Sequence, residues 1–446
     1  MTASLKKTTR STRKKKAVAA FSLSPAHAHL SLHFPKGFLW GTATAAHQVE
    51  GGNKKNDWSL WEQLPGKVAG GDRSGRSADH YHRYAMDFDL AAAQHMNAHR
   101  LSVEWSRIEP REGEWNVKEI AHYRAVLEAL RARGQQTMVT LFHFTVPQWF
   151  AARGGWAGKD AVGYFSRFAA KAADAFGDLV DFWCTQNEPL VYLVMGYVLG
   201  TWPPGVKNYR TAWTVFRHLT AGHVAATVEL HERARMLGRA VPVGVANNLI
   251  SFYSYRKHSP LDALSLSLSD WVWNHAYYRE TRGSHDYLGV NYYFHQRIKR
   301  EEGKLVQLFV DLRAENRETS DIGWEVYPAG IFDVLQELGE HHLPIYITEN
   351  GIATVNDDRR IRFLVAYLKE VYHAIQSGID IRGYFHWSLL DNFEWEKGYA
   401  ARFGLIDVDW QTLQRRPKKS FSVYGRIAGE NALSHDILRY VGHGVL

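Results

Sequence analysis

The sequence predicts a closed eight-stranded (β/α)8 TIM barrel, on three observations. Eight short apolar runs end on polar or aromatic residues and read as strands. Segments of helical period fill the gaps between them, as a parallel sheet requires. The stretch they occupy, about 410 residues, suits a closed barrel with long loops better than an open doubly wound sheet. The runs, in order, are FLWGTATAA at 38–46, HRLSVEW at 99–105, QTMVTLFHF at 136–144 and VDFWCT at 180–185. VPVGVA at 241–246, DYLGVNY at 286–292, LPIYIT at 343–348 and IRGYFHW at 381–387 complete the set. Between them, 117–134 places Ile120, Tyr123, Leu127 and Leu130 on one helical face and stops at Gly134. A second such segment, 359–378, stops at Gly378. The first strand is followed by no glycine-rich turn of the kind an open nucleotide-binding sheet uses. No internal linker or repeat appears, so residues 34–446 read as one barrel domain with the active site at the C-terminal ends of the strands.

Charge and composition exclude several classes. Of 446 residues, 45% are hydrophobic and 22% charged, the profile of a globular chain. The net charge of +8 hints at nucleic acid, but residues 6–16 carry seven Lys or Arg and no acid. Without them the body is close to neutral, so no nucleic-acid partner is expected. Residues 1–33 read as a basic, disordered tail. No apolar run approaches the roughly 20 residues of a membrane span. Ala26-His27-Ala28 has the form of a cleavage site, but the apolar stretch before it, 17–23, is short and broken by Ser22. With Cys184 the single cysteine, a cytoplasmic location is expected, export being the alternative. Oligomeric state is not encoded in any pattern. No metal or cofactor is expected either. His95 and His99 lack a third ligand at suitable spacing, and His80 and His82 alternate rather than share a helical face.

The strand ends carry the chemistry. All C-terminal ends of a parallel barrel share one face. Strand four ends on Gln186, Asn187 and Glu188, and strand seven leads into Glu349, Asn350 and Gly351. Strand one contributes Gln48 and Glu50, strand two Arg100, strand three His143, and strand six Asn291 and Tyr293. Strand eight leads through Trp387 to Glu394 and Trp395. Such a ring suits a polyhydroxylated ligand, polar groups fixing hydroxyls and aromatics covering the apolar faces of a sugar. Two carboxyls flanking a glycosidic bond can divide acid from nucleophile or base. Glu349 is expected to stay ionised beside Arg100 and the Tyr293 hydroxyl, and Glu188 to be kept protonated by the opposing charge and by burial. A separation of about 5–5.5 Å implies retention and about 6.5–9.5 Å inversion. Each piece has a plainer reading. Asn187 and Pro189 can start a helix, Glu349-Asn350-Gly351 can be a turn, His143 and Trp387 can be core, and Arg100 a structural ion-pair partner.

The stretches FLWGTATAAHQVEG, RLSVEWSRIEP, TQNEP, GVNYY, YITENG and WSLLDNFEWEKGYAARFGL, in that order across 34–424, resemble the successive signatures of glycoside hydrolase family 1, the β-glucosidase family. The resemblance implies a retaining β-glycosidase that needs no cofactor, with Glu188 as acid/base and Glu349 as nucleophile. It implies that Gln48, His143, Asn187, Glu394 and Trp395 hold the nonreducing sugar and that Trp387 forms its floor. Arg100, Asn291 and Tyr293 would support the nucleophile. Glu188, where thioglucoside-cleaving members carry Gln, and Glu394, where phosphosugar-cleaving members carry a phosphate clamp, point to an unphosphorylated O-glycoside. The partner implied is a β-glucoside or short oligosaccharide, with galactosides and fucosides sharing the same polar ring. Transglycosylation through the same intermediate and a noncatalytic sugar-binding barrel are the alternatives. Three stretches depart from the pattern: Phe144 stands where a Trp is usual, the segment between strands five and six is short, and 300–320 is unlike the family.

Overall fold

A computed structural model describes residues 31–256, 259–298 and 318–442. The basic segment 6–16, the signal-like stretch up to residue 28 and most of the unusual segment 300–320 lie outside the described residues.

Eight parallel strands close into a barrel in chain order. They are β1 (Leu39–Ala43), β2 (Ala98–Ser102), β3 (Gln136–Phe142), β4 (Phe182–Asn187), β5 (Val243–Ser254), β6 (Tyr287–Ile298), β7 (Ile345–Asn350) and β8 (Ile381–Trp387). β8 pairs back onto β1, Leu39 opposite Gly383 and Ala43 opposite Trp387, so no edge remains. All eight expected strands are present. The largest difference is in β5 and β6, which run to Ser254 and Ile298 instead of stopping at 246 and 292. Their last residues pair with each other, Ser251 with His295 through Ser254 with Ile298, and this mutual pairing carries the two strands beyond the barrel rim.

Alternation along the strands separates two cores. Leu39, Ala43, Ala98, Met138, Tyr287, Tyr346 and Phe385 pack together inside the barrel. Trp40 points outward and packs with Phe34, Phe38 and Tyr424. The interior is tight enough to require glycine: a Cβ on Gly41 would lie 2.4 Å from the Phe385 ring.

One main helix follows each strand: α1 (His80–Ala93), α2 (Val117–Ala132), α3 (Ala161–Phe176), α4 (Tyr209–Met236), α5 (Pro260–Asp270), α6 (Ala329–Gly339), α7 (Asp357–Gln376) and α8 (Lys419–Glu430). Local signals set their ends. The Asn116 side chain accepts from the Lys118 and Glu119 amides at the start of α2, and Gly134, at φ 71°, ends the connection behind it. α2 buries Tyr123, Val126, Leu127 and Leu130, close to the expected face. Asn356 caps α7 in the same way. Leu32–His33 pairs antiparallel with Ala432–Leu433, joining the start of the described chain to its end.

A buried ion pair ties the closure together. Arg415, in the short strand Arg415–Pro417, donates two hydrogen bonds of 2.7 and 2.8 Å to Asp87 on α1. His80 meets the same carboxylate at 2.8 Å. Burial alone raises the Asp87 carboxyl, but Arg415 and His80 hold it below its ordinary value. Replacing Asp87 with Ala leaves a buried guanidinium without its anion, so unfolding free energy measured by chemical denaturation should drop by about 3–5 kcal/mol. The pair's contribution is full above the unfolded carboxyl's pKa of about 3.9 and fades as the pH falls below it. The gap between wild type and variant should therefore narrow in acid. A loss under about 1 kcal/mol at neutral pH would show that the pair is not structural.

Candidate active site

The two glutamates come to one cavity of about 390 Å³, lined also by Gln48, His143, Asn187, Tyr293, Glu394, Trp387 and Trp395. Glu188 is the first residue after β4 and takes a left-handed conformation, φ 43°. A non-glycine residue held there is strained, and the surrounding structure must enforce it. Pro189 does open a short helix, Pro189–Leu193, but no side chain caps it. The plainer reading of Asn187 as a cap therefore does not hold, because its amide is engaged elsewhere.

Arg100, in the middle of β2 and 1% exposed, organises one half of the site. One terminal nitrogen meets Glu349 Oε1 at 2.5 Å and the other meets Asn187 Oδ1 at 2.6 Å. Nε donates to Thr140 Oγ1 at 3.2 Å. The Tyr293 hydroxyl donates to Glu349 Oε2 at 2.6 Å, so both oxygens of this carboxylate are held. Glu349 lies within β7, not in a turn. Gly351 behind it is a packing requirement, since a Cβ there would fall 1.8 Å from the Trp387 carbonyl oxygen.

Glu188 has a different environment. Its Oε1 accepts from Asn291 at 2.9 Å and Asn248 at 3.3 Å, and no cation touches it. Thr348 donates to Asn291 Oδ1 at 2.7 Å, which turns the amide nitrogen of Asn291 toward Glu188. Burial first and the charge of Glu349 second push the Glu188 carboxyl up to about 8. Burial also raises Glu349, which was expected to stay ionised, while the Arg100 charge and the Tyr293 hydroxyl oppose the rise. The cation sits on Glu349 alone, so when the pair loses its first proton the charge settles there and the remaining proton stays on Glu188.

The opposite side of the cup is built by the loops after β1, β3 and β8. Gln48 Nε2 lies 3.0 Å from the Phe393 carbonyl and 3.2 Å from Glu394 Oε2, while Gln48 Oε1 has no protein partner. Asn187 Nδ2 donates to His143 Nε2 at 3.2 Å. Burial, then Arg100, pushes the imidazole pKa well down, so the ring is neutral and its proton lies on Nδ1, which has no protein partner. The His143 ring stacks on Trp387 with centroids 5.9 Å apart. Burial, then Glu396, then Glu349 raise the Glu394 carboxyl well above its ordinary value. Trp395, at φ 46°, packs with Trp58 at 4.7 Å and Trp202 at 5.7 Å. Phe144, at φ 68°, contacts the Trp202 ring at 4.9 Å.

Every predicted site residue except Glu50 belongs to this assembly. Glu50 follows the short helix Ala46–Val49, which turns it away to Arg107 and Tyr123. His99 is buried between Thr42 and Thr44, and His80 and His82 pair with Asp87 and Asp79. Among the described residues the one set spaced to hold a metal ion, Asp270, His275 and Glu337, does not line the cavity. Sequence reasoning missed Asn248, Trp202 and Glu396. Asn248 was legible had strand five been carried past residue 246. Trp202 arrives on a long loop without periodic signal, and its indole donates to Glu396 at 2.6 Å.

The family model described as Glycosyl hydrolase family 1 matches residues 30–282 and 273–433. A 1,4-beta-D-glucan glucohydrolase of Thermotoga neapolitana is 32% identical, over 90% of this chain and 99% of its own. The solved beta-glycosidase from Pyrococcus horikoshii superposes with a TM-score of 0.86 at 36% identity, covering 92% of this chain and 99% of that one. A family 1 β-glucosidase from Thermotoga maritima, solved with isofagomine lactam, superposes at 0.84 and 29% identity, over 91% of this chain and 100% of that one. With the family model spanning nearly all of a closed barrel that carries two glutamates in one cup, this chain belongs to glycosyl hydrolase family 1.

Proposed function

We propose that this glycoside hydrolase removes terminal nonreducing β-D-glucosyl residues, with galactosyl and fucosyl residues as further candidates for the same cup. Glu349 acts as nucleophile and Glu188 as acid and then base. The observation that carries the assignment is the unequal environment of the pair: Arg100 and Tyr293 hold Glu349, while Glu188 has only amide donors. The β-glucosidases and β-glycosidases among its relatives support the substrate class.

In the first step the Glu349 carboxylate attacks the anomeric carbon. The bond from that carbon to the leaving oxygen breaks as Glu188 delivers its proton to the oxygen. Arg100 and Tyr293 orient the attacking carboxylate. Once Glu349 is bound as an ester its charge is gone, and the push that raised Glu188 weakens. Glu188, now ionised, takes a proton from water, whose oxygen bonds the anomeric carbon and frees Glu349. The sugar leaves with its β configuration retained. Gln48, His143, Asn187, Glu394 and Trp395 bind the sugar's hydroxyls and Trp387 lies under its ring. His143 Nδ1 donates and Gln48 Oε1 accepts, both lacking protein partners.

Two outcomes test this reading. Glu349→Gly should lower kcat on an aryl β-glucoside by at least about 10³-fold, as the loss of a nucleophile does. Glu188→Ala should slow substrates with poor leaving groups far more than those with good ones, and equal losses on both would remove Glu188 as the acid. The pH profile follows from the same geometry. The first step needs Glu188 protonated and Glu349 ionised, so kcat/KM should be bell-shaped, falling above about pH 8 as Glu188 loses its proton and falling in acid as Glu349 gains one. In Glu349→Gln the opposing charge is absent and Glu188 should titrate lower, as followed by carbon NMR of labelled glutamate. An unchanged titration would show that the two carboxyls do not interact.

A further inference from the structure

The loop after β8 supplies much of the polar side of the cup, and it is pinned from behind by a lysine that lines no part of the cavity. The chain leaves the barrel at Trp387, carries Glu394 and Trp395 to the cavity, and returns through Phe403. The two limbs of this loop lie against each other at its base. Leu405 donates to the Ser388 carbonyl, Ile406 to that of Leu389 and Asp391 to that of Ile406, each at 2.9 Å. The limbs approach so closely that a Cβ on Gly404 would fall 2.0 Å from the Asp391 amide nitrogen.

Lys418 closes this base. It stands between the short strand Arg415–Pro417 and α8. Its ammonium meets both Asp391 oxygens at 3.0 Å and the Gly404 carbonyl at 2.7 Å, so it holds a partner on each limb. The Gly404 amide in turn donates to Asp391 Oδ1 at 2.8 Å. The Asp391 side chain is 1% exposed and that of Lys418 16%. Arg402 also reaches Asp391, at 3.4 Å, but lies closer to Asp407, at 2.5 Å, which leaves Lys418 as the main counter-ion.

The pin is one residue away from the site's own hydrogen bonds. Asn392, next after Asp391, donates from its amide to Ser388 Oγ at 3.0 Å and to the Leu390 carbonyl at 3.1 Å. Its Oδ1 accepts from Gln48 Nε2 at 3.1 Å, and the same nitrogen lies 3.2 Å from Glu394 Oε2. A shift of Asp391 therefore disturbs Asn392, Gln48 and Glu394 together. Holding the base shut would not by itself call for charges, because packed apolar side chains stabilise about as well as a buried ion pair. A pair with fixed partners on both limbs admits one arrangement, and a loop that selects hydroxyls needs its support held that closely. We infer that Lys418 is a positioning residue, fixing through Asp391 and Gly404 the loop that selects among the sugar's hydroxyls. The inference rests on the function proposed above, in which Gln48 and Glu394 bind the sugar.

The test measures kcat/KM for p-nitrophenyl β-D-glucoside, β-D-galactoside and β-D-fucoside in wild type, Lys418→Met, Asp391→Asn and the double variant. Each single substitution should lower kcat/KM on the preferred sugar by about tenfold or more. The ratio of best to worst sugar should shrink at least about threefold, because a loosened loop selects less sharply. That ratio is read within each variant, so a reduced folded fraction does not move it. The dependence on leaving group, read with a series of aryl β-glucosides, should stay that of wild type, since Glu188 stands on another strand. The double variant should lose less than the product of the two single losses, as partners in one contact do. Equal losses on all three sugars would make Lys418 a scaffold residue only and overturn the inference. Multiplicative losses, or failure of all three variants to fold, would overturn it too. A wild-type protein that hydrolyses none of the three glycosides would sink the glycosidase reading instead.

Discussion

The site depends on one buried guanidinium. Arg100 sits inside the barrel mouth at 1% exposure, where an unpaired cation would be strongly destabilising. Its planar fork reaches three groups from three strands at once: Glu349 on β7, Asn187 on β4 and Thr140 on β3. A lysine, with its single point of charge, could not hold all three. β2 and β7 are not neighbours in the sheet, so the Arg100–Glu349 contact crosses the barrel interior and exists only if the ring closes in register. Fold and site are thus one constraint. The pairing of β8 with β1 that removes the last sheet edge also brings the charges to bonding distance.

From that cation the electrostatics of the cup follow. Three carboxyls, Glu188, Glu349 and Glu394, share a buried space, and burial is the largest influence on each. Arg100 bonds directly to only one of them, Glu349. The other two are driven toward the neutral form, and a neutral carboxyl can donate a hydrogen bond as well as accept one. A cup of this kind suits an uncharged polyol at rest. It also suits a ring that gains positive charge in passing, because any such charge draws ionisation from groups already close together. An anionic ligand finds the opposite conditions, in line with the expectation of an unphosphorylated sugar.

Much of this was legible in the residues. Most barrel strands follow from a short apolar run, because a strand buried on both faces is largely apolar and ends where the backbone reaches the polar rim; β2 departs from this, carrying buried His99, Arg100 and Ser102. The polar ends of those runs make most of the site, so Asn187, Glu188, Asn291 and Glu349 could be placed from the ends of the predicted strands, whereas Arg100 stands inside its strand. What could not be read lies beyond the rim. The continuation of β5 and β6 depends on their pairing with each other, a long-range choice that no local pattern states. Asn248 belongs to that continuation. Trp202 and Glu396 come together across the cup from two loops, and only the folded chain shows that they touch. Glu50 failed for a local reason, since four helical residues after β1 rotate it away from the face its neighbours share.

At Phe144 a loop contact changes the surroundings of a single substituted residue. A Trp at that place would offer an indole N–H to the sugar, and its loss points toward altered sugar preference. The folded chain does bring an indole against Phe144, that of Trp202, with ring centroids 4.9 Å apart. Its N–H is committed to Glu396 at 2.6 Å and so does not replace the missing donor. Two buried polar atoms of cavity-lining residues on that side, His143 Nδ1 and Gln48 Oε1, have no protein partner. One donates and the other accepts. On the proposed reading, these two atoms join Asn187, Trp395 and Glu394 in choosing among sugars that differ at a single hydroxyl, and a neutral Glu394 could donate where its anion only accepts. The aromatic cluster of Phe144, Trp202 and Trp395 then sets the shape of the cup and excludes water, while hydrogen-bond selection is left to its neighbours.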